Sequence, residues 1–214
     1  MKRIGDQIKT ALRLRPFALE EERLLNAVER GYRITIQVTS RNFPACVKGA
    51  FRWGKIIESL AEELVASGQG WELRKSENFN YLINPQLKLC IAVRSGDART
   101  GTPLSPKTKN LAGKKIAAAV DGVKVMALPG FEPPAPVWDD CVLYLLLHYQ
   151  AEGSDVVHVE LSRPIGRDTE GRVIFGDDRI ILRPIDLGPE PTLARRLADS
   201  EEIPKYEVTV TKKE

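Results

Sequence analysis

Apolar and polar positions recur with two different periods along this chain of 214 residues, and the changes of period predict its elements. In residues 18–30, ALEEERLLNAVER, apolar Leu24, Leu25 and Val28 follow acidic Glu20, Glu21 and Glu22, and Gly31 stands after them as a C-cap. A helix is expected there. YRITIQV, residues 32–38, alternates and is rich in β-branched side chains, so a strand is expected next. Residues 45–67 bring Ile56, Ile57, Leu60, Leu64 and Val65 to one face ahead of Gly68. This is the longest helix the pattern predicts, with Gly49 and Gly54 pushing its start toward Phe51.

Three short strands follow, at 71–75, 79–83 and 87–93, with Asn84-Pro85 in the turn between the last two. Residues 114–120, KKIAAAV, fit a helix or a strand equally. VKVMAL, 123–128, reads as a strand after the Asp121-Gly122 turn. Four prolines in 128–138 predict an extended crossing without ladder bonds. Beyond it, 141–150, 156–164 and 172–185 predict an antiparallel meander. The tail reads as a helical piece, 192–199, and an alternating edge strand, 206–212.

These elements predict an α+β fold: a mixed or mainly antiparallel sheet, with a C-terminal three-strand meander packed against one long helix. The expected organisation is a basic arm at 1–17, one core domain at 18–186 containing the Pro-rich crossing 129–137, and an extension at 187–214.

Composition agrees with a globular chain: 43% apolar and 29% charged. No apolar run has the length of a membrane span, and the basic N-terminus lacks the apolar core of a secretory leader. Cys46, Cys90 and Cys141 lie far apart among apolar neighbours, so reduced, buried thiols and a cytoplasmic setting are expected.

Charge alters the picture through its distribution. The net value is +3, yet residues 94–124 hold seven Lys or Arg against Asp97 and Asp121, and residues 1–15 hold five against Asp6. Cationic stretches therefore ride on an acidic remainder. The long loop RSGDARTGTPLSPKTKN, 94–110, joins small hydroxyl donors to cations. It lacks GxxxxGK[ST] and GxGxxG, and Pro103 and Pro106 remove two amides from any phosphate cradle.

The expected function is a non-enzymatic binding or accessory protein, of the mobile-element or phage-type inhibitor or adaptor kind. It would engage nucleic acid, or an acidic surface of a nucleic-acid-handling protein, through Arg94, Arg99, Lys107, Lys109, Lys114, Lys115 and the N-terminal arm. No cofactor and no membrane partner are expected; homo-oligomerisation stays open.

Two alternatives remain. If the first meander turn centres on Gly153, His148 opposes His158, with Glu160, Tyr144 and Ser162 on the same face. His148, His158 and Glu160 would then form a two-histidine, one-carboxylate metal site for a hydrolase or nuclease. The plainer account is a solvated face, with Glu160 paired across to Arg179. Glu72 and Lys75 are spaced ExxK, which sets them on opposite faces and argues against a strand-borne nuclease motif. The other alternative is a protein-only interaction or oligomerisation module built on the tail strand. Trp53 and Trp71, each near cations, either stack on bases or anchor the long helix.

Overall fold

The computed structural model describes residues 2–40, 42–76, 79–121, 137–138 and 141–188. Its elements run α1 (Lys2–Leu14), a 3-10 turn (Arg15–Phe17), α2 (Glu21–Val38), α3 (Ala45–Ala66), β1 (Glu72–Ser76), β2 (Phe79–Asn84), β3 (Leu89–Ser95), α4 (Lys114–Asp121), β4 (Val137–Trp138), β5 (Cys141–Gln150), β6 (Val156–Arg167), β7 (Val173–Ile181) and β8 (Ile185–Asp186). The fold is α+β. The sheet order is β1-β2-β3-β5-β6-β7, with β4 beside β5 and β8 beside β6. All pairs are antiparallel except β3 with β5, which run parallel around the α4 crossover.

One departure from the sequence pattern reshapes the first layer. Residues 32–38 are not a strand; they are the last two turns of α2. The alternation in YRITIQV is real, but Tyr32 and Thr35 also continue the buried stripe of Leu24, Leu25 and Val28 at helical spacing. Tertiary burial outweighs the β-propensity of the segment. Each threonine hydroxyl in this stretch is satisfied one turn back: Thr35 Oγ1 donates to Gly31 O, and Thr39 Oγ1 donates to Thr35 O, both at 2.6 Å. Gly31 is therefore no C-cap. It lies where α3 comes closest, and a Cβ there would stand 2.4 Å from Ile56 Cγ1.

The long helix forms as expected but begins at Ala45, directly after Pro44. Its buried Ile56, Ile57, Leu60 and Leu64 join the α2 stripe over one sheet face, against Ile91, Val93, Tyr144, Leu146, Val159 and Leu161. Trp53 and Trp71 are anchors on this side: their indole N–H groups donate to Val93 O at 3.1 Å and Ala18 O at 3.3 Å. The ambiguous segment 114–120 is α4, and its Ile116, Ala119 and Val120 cover the opposite face with Leu143, Leu145 and Leu147. Cys90 and Cys141 are buried, whereas Cys46 is exposed, contrary to expectation: it sits on the first turn of α3 ahead of that helix's buried stripe.

The meander is present as β5, β6 and β7. Of the Pro-rich crossing, Val137 and Trp138 do make a ladder, pairing with Val142 and Cys141. The rest of that crossing, the 123–128 strand, and the tail elements 192–199 and 206–212 lie outside the described residues. No helix among the described residues is long and apolar enough to cross a membrane.

Candidate functional site

The register of the meander decides the proposed metal site. His148 pairs with Val159, and Tyr149 pairs with His158. The turn is one residue longer than a hairpin centred on Gly153, so every opposition moves by one and the two histidines separate. His148 faces α2, along with Tyr144; His158, Glu160 and Ser162 face the other way. His148, His158 and Glu160 therefore do not form one site, and Tyr144 leaves that face too. Among the described residues no group of three His, Cys, Asp or Glu side chains could hold a metal ion.

His148 instead lies in a buried polar row. Its Nδ1 is 2.9 Å from the Tyr32 hydroxyl, and its Nε2 is 3.4 Å from Ser95 Oγ. The Arg52 guanidinium stacks 4.1 Å above the Tyr32 ring. Burial, with Arg52 adding repulsion, pushes the His148 pKa down to about 3, and burial raises that of Tyr32. The row has the order of a nucleophile relay, but burial disfavours the charged imidazole that such a relay would have to form. It ties α2 and α3 to the ends of β3 and β5. Sequence reasoning missed these partners because they meet across elements.

Glu160 belongs to a second buried cluster. Arg179 Nη2 donates to Glu160 Oε2 at 2.6 Å, and Arg179 Nε donates to Oε1 at 3.0 Å. Ser162 Oγ donates to the same Oε1 at 2.6 Å. A turn one residue longer than expected, together with two irregularities near Pro164, sets Arg179 opposite Ser162, so the expected salt bridge forms on the diagonal.

This pair holds the basic loop. Gly101 N–H donates to Glu160 Oε2 at 2.7 Å, and Arg179 Nη2 donates to Thr102 O at 3.0 Å. Further on, Lys107 bridges to Ile174, Thr108 N–H donates to Val173 O, and Ala112 N–H donates to Gly171 O. Gly96, Thr100, Pro106 and Thr108 are buried. The loop is thus a packed strap lying over β6 and along the start of β7.

The six predicted binding cations divide. Arg99 pairs with Asp97 at 2.6 Å, and Lys107 pairs with Asp168 at 2.8 Å. That hydrogen bond from Lys107 is the main reason the Asp168 pKa is lowered. Both cations serve the strap itself. Lys109 and Lys114 are exposed, and Lys115 is half-buried in the first turn of α4.

Arg94 is different. It is half-buried, burial lowers its pKa, and its guanidinium lies 5.7 Å from the Phe79 ring centre. Its Nη2 is 3.6 Å from where a Cβ of Gly113 would stand, immediately before α4. No carboxylate among the described residues pairs with Arg94, Lys109 or Lys114. Lys109 N–H donates to Ser95 O at 2.8 Å, which holds its backbone beside the end of β3. The Arg94 guanidinium thus lies at the start of α4, where exposed Lys114 follows Gly113, and the backbone of exposed Lys109 runs beside the end of β3. Compared with known proteins, the chain matches no family model, no curated protein and no solved structure.

Proposed function

We propose that this is a non-enzymatic binding protein that grips the phosphate backbone of a nucleic acid at Arg94, Lys109, Lys114 and the first turn of α4. The observation that carries the reading is Arg94 beside Gly113, a partly desolvated guanidinium at a helix start with no described carboxylate to neutralise it. A phosphate oxygen there would receive charge-assisted hydrogen bonds from the guanidinium and from amides that lack helical acceptors. Lys109 and Lys114 would add contacts that neutralise neighbouring phosphates without reading sequence. An inhibitor or adaptor of a mobile-element or phage-type assembly is a narrower form of this proposal, and only the basic patch supports it.

The test is anisotropy of labelled single-stranded and duplex oligonucleotides over about 50 to 200 mM salt. Lys109→Gln with Lys114→Gln should weaken binding roughly tenfold and flatten the log affinity against log salt slope by about 1.4 to 1.8, two phosphate contacts. Unchanged affinity and slope in the folded double variant would remove the proposal.

A further inference from the structure

α1 turns Ile8, Ala11 and Leu12 away from the body. Within it, Thr10 is half-buried and Leu14 is fully buried, and Arg13 Nη1 donates to Arg179 O at 2.6 Å. These residues mark the side that meets the protein. Ile8 precedes Thr10 and Leu12 precedes Leu14 by two residues, about 200° around the helix. Ile8 and Leu12 are 56% and 61% exposed, and Ala11 beside them is exposed as well. Surface helices of globular proteins turn such a stripe inward.

The rim of the stripe carries one sign of charge. Lys9 and Arg15, both exposed, each stand three residues from Leu12 and neighbour it on the surface. Residues 1–15 hold five cations against Asp6 alone. Self-association of two copies through this face would set like charges together. A nucleic-acid backbone offers nothing for Ile8 and Leu12 to bury against. Among the described side chains the stripe is two branched residues one turn apart with no aromatic, which suits the groove between residues of a single facing helix.

We propose that α1 docks an acidic amphipathic helix of a protein partner, with Ile8 and Leu12 as apolar anchors and Lys9 and Arg15 facing its carboxylates. This surface is separate from the Arg94 patch and does not depend on nucleic-acid binding.

The full chain is titrated with a fluorescent helical peptide whose leucine stripe is flanked by glutamates, and with a counterpart in which lysines replace the glutamates. Saturable binding of the acidic peptide is expected. It should weaken at least tenfold in Ile8→Ser/Leu12→Ser, and Lys9→Gln/Arg15→Gln should weaken it and abolish its salt dependence. The Ile8→Ser/Leu12→Ser protein should keep its oligonucleotide affinity, which separates this result from failure of the phosphate reading. No saturable binding of the acidic peptide below about 1 mM, or equal affinity for the lysine counterpart, would overturn the proposal. So would an Ile8/Leu12-dependent interaction with phosphatidylcholine–phosphatidylserine vesicles in place of the peptide, which would assign the stripe to a lipid surface.

Discussion

Glu160 and Arg179 form an ion pair with side chains 0% and 7% exposed, and the same two side chains hold the backbone of Gly101 and Thr102. One pair thus joins β6, β7 and the basic loop. Glu160→Gln leaves a buried guanidinium without its counter-charge and should cost about 3 to 5 kcal/mol in denaturant unfolding. Native-state hydrogen exchange should show Gly101 losing protection first. A Glu160→Leu/Arg179→Met pair should cost less than Glu160→Gln alone, because no charge is left stranded.

His148 predicts an acid-sensitive contribution to stability. Its folded pKa, about 3, lies below the ordinary histidine value of 6.5, so the unfolded chain binds the proton more tightly. This contribution is complete above the unfolded pKa and is lost as pH falls from about 6.5 toward 3. Between pH 7 and pH 5 it should amount to about 2 kcal/mol. His148→Gln should flatten the stability profile in that window by about one proton, measured by urea unfolding at several pH values.

Two glycines on facing helices should respond oppositely to alanine. At Gly31 the added Cβ meets Ile56 Cγ1 at 2.4 Å and Ile56 N at 2.9 Å, so backbone must move. Gly31→Ala should destabilise by roughly 1 to 3 kcal/mol despite the better helix propensity. At Gly54 nothing lies within 4 Å, and Gly54→Ala should stabilise by up to about 1 kcal/mol. Thermal unfolding of the two variants decides this.

Lys107 and Lys109 are near neighbours in sequence but should differ in effect. Lys107 is bonded to Asp168, whereas Lys109 is exposed. Lys107→Gln should leave oligonucleotide affinity unchanged and loosen the loop against β7. A double-mutant cycle of Lys107→Ala and Asp168→Ala should show coupling in stability.

Much of the architecture was legible because burial and period agree in it. The stripe from Ile56 to Leu64, and the apolar runs of β3 and β5, admit one interpretation each. Residues 32–38 misled because Tyr32, Ile34, Ile36 and Val38 alternate as in a strand, whereas burial follows Tyr32 and Thr35 at helical spacing once α3 packs against Gly31. The histidine register failed on a single turn residue, a length that strand patterns do not encode. The Glu160–Arg179 bridge was legible as chemistry, since two long charged side chains on adjacent strands reach each other despite a register shift. The division of the loop cations was not legible. Asp168, which holds Lys107, is 61 residues away, and Gly113, beside Arg94, matters only through its place in space.

The contact of Arg13 with Arg179 joins residues 166 positions apart, and Arg183 of the last described stretch bonds Glu21 and Glu22 at the start of α2. During synthesis the first helices must wait for nearly the whole chain before this seam closes. Loop closure over such a separation slows folding and leaves the α1 seam open until β7 is made. A ribosome-bound chain halted before β7 would therefore have α2 already covered by α3 and the earlier strands, while α1 still lacked the β7 contact that Arg13 makes.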